Sequence, residues 1–273
     1  MLIVQKYGGT SVGNLERIEE VAKRVIATKD AGHDVVVVVS AMSGVTNQLI
    51  EYAEHFAGVQ PQSADMDMLL SSGERVTSSL LSIALNSKGY KAVSFSGDMA
   101  GIITNNDFTK ARIIDIDGAK MKEALKDGKI VIVAGFQGAT KDGDTTTLGR
   151  GGSDLSAVAV AGALKADLCE IYTDVDGVYT TDPRIEPKAR KLDKISYDEM
   201  LELASMGAKV LQNRSVELAK KLKVNLVTRS SFNNNEGTLI TGEADMEKPG
   251  MEQALISGIA LDKNQARVTM RGV

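Results

Sequence analysis

Short apolar runs alternate with longer amphipathic stretches along most of the chain. Leu2 to Lys6 has the length and composition of a strand. Leu15 to Lys29 follows with helical periodicity, and Asn14 stands where an N-cap belongs. Asp34 to Ser40 is a nearly unbroken valine run, the pattern of a strand buried on both faces of a parallel sheet. Asn47 to Phe56 and Asp65 to Asn86 read as helices, Ala92 to Ser96 as a short strand and Ala111 to Ile116 as a weaker one. Ala119 to Lys126 predicts a helix, and Lys129 to Ala134 returns to a buried strand. From Gly135 to Gly152 the pattern lapses into Gly, Thr and Asp and reads as a loop. Asp154 to Leu164 then predicts a small-residue helix and Leu168 to Thr173 a strand. Ser196 to Leu222 is helical with a break near Gly207, and Asn225 to Arg229 and Thr238 to Ile240 are late strands.

This rhythm implies an α/β fold, a largely parallel central sheet with helices on both faces in a three-layer αβα sandwich. Such sheets bind ligands at the carboxyl ends of their strands, so function is expected in the loops directly after the apolar runs. The tail departs from the rhythm. Ala254 to Asp262 and Ala266 to Val273 read as two strands about a Lys263-Asn264-Gln265 turn, after a polar linker from Thr241 to Gly250.

Composition narrows the chemistry. The 273 residues carry 32 Lys+Arg against 36 Asp+Glu, a formal charge of −4, which argues against nucleic acid or an anionic membrane as partner. Cys169 is the single cysteine, so neither an intrachain disulfide nor a thiolate metal cluster is available. His33 and His55 are the two histidines and do not sit at a metal-binding spacing. MLIVQK meets a charge too early for a signal peptide, and the apolar runs are too short to span a bilayer. The expected compartment is the cytoplasm.

Four loops after strands carry the candidate chemistry. Lys6-Tyr7-Gly8-Gly9-Thr10-Ser11 sets a mobile cation beside paired glycines whose N–H groups can converge on an anion. Ser40-Ala41-Met42-Ser43-Gly44-Val45-Thr46-Asn47 repeats hydroxyls and glycine at a second strand exit; singly, Ser43 or Thr46 would read as a helix cap. Thr145 to Asp154 places Arg150 between glycines, with room for a guanidinium to grip a carboxylate or phosphate. Asp154 opens the next helix, where a capping role is an equal alternative. Thr173 to Arg184 misses calcium-loop spacing and suits a nucleoside contact. Glu74, beside Gly73 in an apolar helix, is either half of an exposed pair with Arg75 or a carboxylate aimed at an ammonium. No P-loop, complete Rossmann fingerprint or protein-kinase set occurs.

These residues together resemble the aspartokinases of the amino-acid kinase superfamily. The matching motifs are KYGGTSVG, VVVVVSAMSGVTN, the Gly73-Glu74 pair, VAGFQG, TTLGRGGSD, IYTDVDGVYTTDPR and GAKVL, in order through residues 1 to about 240. The resemblance implies an amino-acid kinase fold that uses ATP to phosphorylate the side-chain carboxylate of L-aspartate, the entry to lysine, threonine and methionine synthesis. By the same carry-over, Lys6, Tyr7, Gly8 and Gly9 face the ATP phosphates, with Ser40 nearby. Thr46, Glu74, Arg150, Gly151, Gly152 and Ser153 hold aspartate, and Asp154 organises the catalytic cation. Thr173, Asp174, Tyr179, Arg184, Lys209 and Val210 surround the nucleotide. Mg²⁺ would accompany ATP, with no residue assigned as its ligand.

Gln212-Asn213 departs from the His-Pro that the family often carries. Residues 1–245 would form the catalytic domain, and 246–273 a linker and the start of an ACT regulatory region. A homo-oligomer, a dimer, is implied, with full regulation requiring the rest of the ACT region, so this polypeptide alone is expected to be insensitive to lysine and threonine. Within the fold, acetylglutamate, glutamate-5 and uridylate kinases are the nearest alternatives, and a non-catalytic amino-acid-binding module is one of another class.

The chemistry is consistent with a chain poor in His and Cys. An aspartate carboxylate, with a reference pKa of about 3.9, is already ionised at neutral pH and attacks without a general base. Positioning and charge neutralisation then dominate.

Overall fold

In the computed structural model, residues 1–59, 61–205, 210–243 and 258–260 are described. The strands, in chain order, are β1 (Leu2–Tyr7), β2 (Asp34–Val39), β3 (Ala92–Phe95), β4 (Ile102–Thr104), β5 (Ile113–Ile116), β6 (Ile130–Ala134), β7 (Gln137–Ala139), β8 (Thr145–Thr147), β9 (Leu168–Thr173), β10 (Lys194–Ser196), β11 (Leu226–Ser230) and β12 (Thr238–Thr241). The α-helices are α1 (Leu15–Asp30), α2 (Val45–Ala57), α3 (Ala64–Ser87), α4 (Ala119–Lys126), α5 (Gly152–Leu164), α6 (Tyr197–Ser205) and α7 (Asn213–Leu222).

The valine run of β2 shows why the middle of the sheet reads as continuous apolar sequence. Its side chains alternate between faces. Val35, Val37 and Val39 pack with Ile18, Val21 and Val25 of α1 and with Leu81 and Leu85 of α3. Val36 and Val38 pack on the opposite side with Ala157, Val158 and Ala161 of α5. Each face has its own core, so neither set of alternate positions can be polar. Helix α5 is buried on nearly every side, which is why its sequence is apolar throughout rather than amphipathic.

The main sheet has eight strands in the order β10-β12-β11-β9-β1-β2-β6-β3. Every adjacent pair is parallel except β11 with β12. In register, Tyr7 lies opposite both Val39 and Tyr172, and Val39 opposite Ala134. The carboxyl ends of β9, β1, β2 and β6 therefore meet at one rim. Asn14 caps α1 as expected, its side chain accepting from Arg17 N at 2.8 Å. Among the described residues no helix is long and apolar enough to cross a membrane.

A second, four-stranded sheet (β5-β4-β7-β8) corrects the sequence reading. The stretch from Gly135 to Gly152 is not a plain loop: β7 and β8 pair as an antiparallel hairpin, Gln137 opposite Thr147. Three-residue strands of Gln, Gly, Ala and Thr carry no alternation to reveal them. Strands β4 and β10 were missed for the same reason, and Lys194–Ser196 lies directly before a helix that the pattern alone starts at Ser196. Strand β5 begins at Ile113 rather than Ala111, and α5 begins two residues before Asp154. The expected tail strands at 254–262 and 266–273 lie outside the described residues apart from 258–260, as does the helix break at Gly207.

The double-sided core gives a direct test. Ile132 in β6 is fully buried; Ile132→Ala should cost about 2–5 kcal/mol. Urea unfolding should show a lower midpoint with an unchanged slope.

Candidate active site

The rim predicted from the strand pattern is where the structure opens a cavity of about 790 Å³. Lys6 at the end of β1, Ser40 after β2, Phe136 after β6 and Asp174 after β9 all line it. Helix α5 points its first turn at the same space, bringing Gly151, Gly152, Ser153 and Asp154. The positive end of the helix favours an anion there, although Gly152 N and Asp154 N already donate to the Gly149 and Gly151 carbonyls.

The central interaction is an ion pair: Lys6 Nζ lies 2.6 Å from Asp154 Oδ1, with the two side chains 12% and 14% exposed. The capping role read for Asp154 does not form. The N-cap of α5 is Gly151, and the carboxylate is spent on Lys6 instead. Gly151 is required by geometry. Its φ is +71°, and a Cβ there would lie 2.4 Å from the Gln212 side chain. Gln212 itself, at the departure from the family pattern, donates through Nε2 to the Arg150 carbonyl and so ties the glycine-rich turn to the start of α7.

Across the cavity, Glu74 is held by a close helix approach. A Cβ at Gly73 would stand 2.8 Å from Ala41 Cβ, so only glycine lets α3 lie this near the loop after β2. Glu74 Oε1 then accepts from Ala41 N at 3.0 Å, while its buried Oε2 has no hydrogen-bond partner among the described residues. Burial pushes this carboxyl up to about 7, against the Ala41 hydrogen bond, which pulls it down. The exposed pair with Arg75 does not form: Arg75 turns to Gln137 Oε1 at 3.1 Å and Thr145 Oγ1 at 3.3 Å. A buried acid on a cavity wall, with one oxygen lacking a partner among the described residues, is suited to receive a cation.

Not every residue singled out from the sequence reaches this space. Gly9, Thr46 and Arg150 line the cavity, the Arg150 side chain being exposed. The Tyr7 ring turns away from it, fully buried and stacked on Tyr172 at 4.6 Å, with burial raising its hydroxyl pKa well above the ordinary value. Only the Tyr7 main chain faces the rim, where its carbonyl accepts from Ser40 N at 3.1 Å. Gly8 donates from N to the Tyr172 carbonyl at 3.3 Å. Thr173 donates to Asp174 Oδ1 at 3.0 Å. Tyr179 bridges to Lys191, and Arg184 pairs with Asp182 at 2.7 Å on the surface, so neither lines the cavity. Val210 packs against the core beneath α5, and Lys209 lies outside the described residues. Cys169 is buried and burial raises its thiol pKa, which removes it as a nucleophile.

Sequence reading missed Phe136, Thr109 and Lys110, all on the cavity wall. Phe136 and Thr109 both hold positive φ, 68° and 66°, and no residue type announces that. A second cleft of about 730 Å³ runs between α1 and β9–β11. Its arginines are occupied by the fold: Arg17 donates to the Ser231 carbonyl, Arg24 to that of Asn233, and Arg229 pairs with Glu170.

The comparisons agree with this geometry. The family model described as "Amino acid kinase family" matches residues 1–229. The aspartokinase of Helicobacter pylori strain J99 is 63% identical over all 273 residues, which span 67% of that protein. The crystal structure of aspartate kinase from Synechocystis superposes with a TM-score of 0.79 at 46% identity, covering 94% of this chain and 41% of that one. Escherichia coli aspartokinase III in complex with aspartate and ADP gives a TM-score of 0.77 at 30% identity, covering 89% of this chain and 65% of that one. The chain belongs to the amino acid kinase family, within its aspartokinase branch. It spans about two thirds of the length of the curated relatives it matches.

The half-satisfied Glu74 predicts a pH signature in stability. Its folded pKa exceeds its unfolded one, so the charged form penalises the fold fully above about pH 7 and progressively less as pH falls toward 4.5. Glu74→Gln should therefore raise Tm at pH 8, by up to about 3 kcal/mol of stability. Near pH 4.5 the gain should vanish, as read by thermal melts across the range.

Proposed function

We propose that the chain transfers the γ-phosphoryl group of ATP to the side-chain carboxylate of L-aspartate, giving 4-phospho-L-aspartate. The observation that carries this is that the Lys6–Asp154 pair and Glu74, whose Oε2 lacks a partner among the described residues, line one cavity. An amino acid with an anionic side chain needs an anion for its ammonium and a cation for its α-carboxylate; Glu74 and Arg150 supply them. The catalytic unit in this reading is residues 1–245, and its product enters lysine, threonine and methionine synthesis.

The substrate carboxylate is ionised at working pH, so no protein base need take a proton. Glu74 and Arg150 fix the amino acid at its α-carbon end and leave the side chain free to approach the phosphorus. Lys6, oriented by Asp154, neutralises charge on the transferring group, and Gly9 after β1 and Ser153 in the first turn of α5 are placed to offer N–H groups to its oxygens. Ser40 and Thr46 add hydroxyls at the second strand exit. Mg²⁺ requires few protein oxygens when it travels with a nucleotide. Asp174 and the Asp154 oxygen not paired with Lys6 would be suitable donors on the cavity wall, and the ion would supply neutralisation of phosphate charge.

A substrate panel of aspartate, N-acetylglutamate, glutamate and UMP, read by ADP formation, should give turnover with aspartate; turnover confined to another acceptor would overturn the reading. Arg150→Ala should raise the KM for aspartate by about 30-fold with a smaller effect on kcat. Lys6→Ala should instead lower kcat by about 100-fold or more. Because free Glu74 protonates below about pH 7, the aspartate KM should climb as pH falls through 7, and Glu74→Gln should flatten that climb.

A further inference from the structure

Helix α3 carries two buried carboxylates, and the second one has no place in the chemistry above. Asp67 is fully buried, seven residues before Glu74 and so about two turns along nearly the same helix face. Its carboxylate is saturated by the end of β8 and by the turn between β4 and β5. Thr109 N donates to both oxygens, at 3.0 Å to Oδ1 and 2.9 Å to Oδ2. Thr147 N donates to Oδ2 at 2.7 Å, and Thr147 Oγ1 to Oδ1 at 2.7 Å.

What those donors belong to gives the arrangement its meaning. Thr109 sits at φ 66°, a left-handed conformation that a β-branched residue strongly resists. The next residue is Lys110, whose N donates to the Asp107 carbonyl at 3.0 Å and which stands on the cavity wall. Thr147 ends β8, three residues before Arg150. The two segments also lock to each other: Ala111 N donates to the Thr147 carbonyl at 2.8 Å, and a Cβ at Gly149 would lie 3.2 Å from the Thr109 carbonyl oxygen. Arg214 closes the far side, donating to the carbonyls of Leu148 at 2.7 Å and Ala111 at 3.2 Å.

We infer that Asp67 is a positioning residue for recognition of the acidic substrate: it holds the strained Thr109 turn and the end of β8 against α3, so that Lys110 and Arg150 stand at a fixed distance from Glu74 on the same helix. One rigid helix would thereby set both ends of the amino-acid site, the anion directly and the cations through a saturated carboxylate. The inference rests on the aspartate reading of the cavity. It adds that Lys110 belongs to the cationic wall and that substrate affinity depends on a residue that never touches substrate.

The test is Asp67→Asn, which keeps the shape but replaces one acceptor oxygen by an amide donor, so that at the Oδ1 position the Thr109 N–H loses its acceptor and the Thr147 hydroxyl must turn from donor to acceptor. Relative to wild type, the aspartate KM should rise by about tenfold or more, with the ATP KM within about twofold and kcat reduced much less than KM rises. Adding Thr109→Gly, which adopts the left-handed turn without strain, should bring the aspartate KM back to within about threefold of wild type. A merely structural role for Asp67 would give lower Tm and less active protein, with aspartate and ATP constants moving together and no rescue by glycine; that pattern would overturn the inference.

If Asp67→Asn does not fold, Thr147→Val removes a single donor to the same carboxylate. It should still raise the aspartate KM selectively, and an unchanged value would count against the role. Amide hydrogen exchange separates this inference from the reading it rests on. Exchange at residues 109–111 and 147–151 should quicken in the variant without global loss of protection. If wild type forms no ADP with aspartate, the substrate reading fails, and the exchange data still decide whether Asp67 holds these segments.

Discussion

The parallel ladder through β9, β1, β2 and β6 is the constraint from which the rest of the structure follows. Parallel strands buried on both faces must be apolar along their length, and their shared direction sends every carboxyl end to one rim. Each strand therefore releases its chain at the same place, and polar residues gather there; inside the ladder Gln5 and Glu170 are tolerated because they pair with each other, Gln5 Nε2 donating to Glu170 Oε2 at 2.9 Å. Lys6 stands at that point in β1 and Ser40 just past the end of β2, with Asp174 in the equivalent place after β9. The cavity is thus a consequence of strand direction before it is a matter of residue choice. Helix α5, apolar all round, could be buried beneath the same rim only with its N-terminal turn facing out, which places Asp154 beside Lys6.

Two acids on α3 show how the same side-chain chemistry divides between holding and binding. Burial raises the pKa of both. Asp67 has both oxygens filled by Thr109 and Thr147, so its desolvation is partly offset within the fold and it has nothing left to offer a ligand. Glu74 has one oxygen filled by Ala41 and one empty. An unpaired buried carboxylate is costly, and a site that retains one exchanges stability for affinity toward a cation. Hydrogen-bond saturation, rather than burial alone, separates the two.

Much of this was legible in the sequence because long, doubly buried strands and capped helices write strong patterns. The valine run of β2, the Asn14 cap and the apolar body of α5 each have one economical structural reading, and each stands close to its expected bounds. Lys6, Glu74 and Arg150 were visible as charged residues interrupting apolar or glycine-rich context at strand or helix positions. The second sheet was not legible. Its strands are three or four residues long, and Gln137-Gly138-Ala139 and Thr145-Thr146-Thr147 have no period to detect. Thr109 and Phe136 were invisible for a different reason: their contribution lies in positive φ, imposed by tertiary hydrogen bonds and packing rather than by residue type. Tyr7 shows the converse error, since a residue inside a recognisable motif can have its side chain on the opposite face of the strand from its functional neighbours.

That last point bears on how a motif should be read. In a strand, alternate residues face opposite sides, so KYGG cannot deliver both Lys6 and Tyr7 side chains to one ligand. Lys6 reaches Asp154 on the α5 side, whereas Tyr7 stacks on Tyr172 among the residues beneath α1. Tyr7 shapes the site through its main chain and by anchoring the start of the glycine turn: its ring fixes β1 against β9, and its carbonyl fixes Ser40 after β2. The glycines that follow are then presented from a rigid origin. A turn whose groups are main-chain N–H has no side-chain chemistry of its own and depends on such anchoring for its geometry. The buried aromatic pair and the half-buried glycine turn are accordingly one device, with rigidity supplied on one face of the sheet and used at its rim.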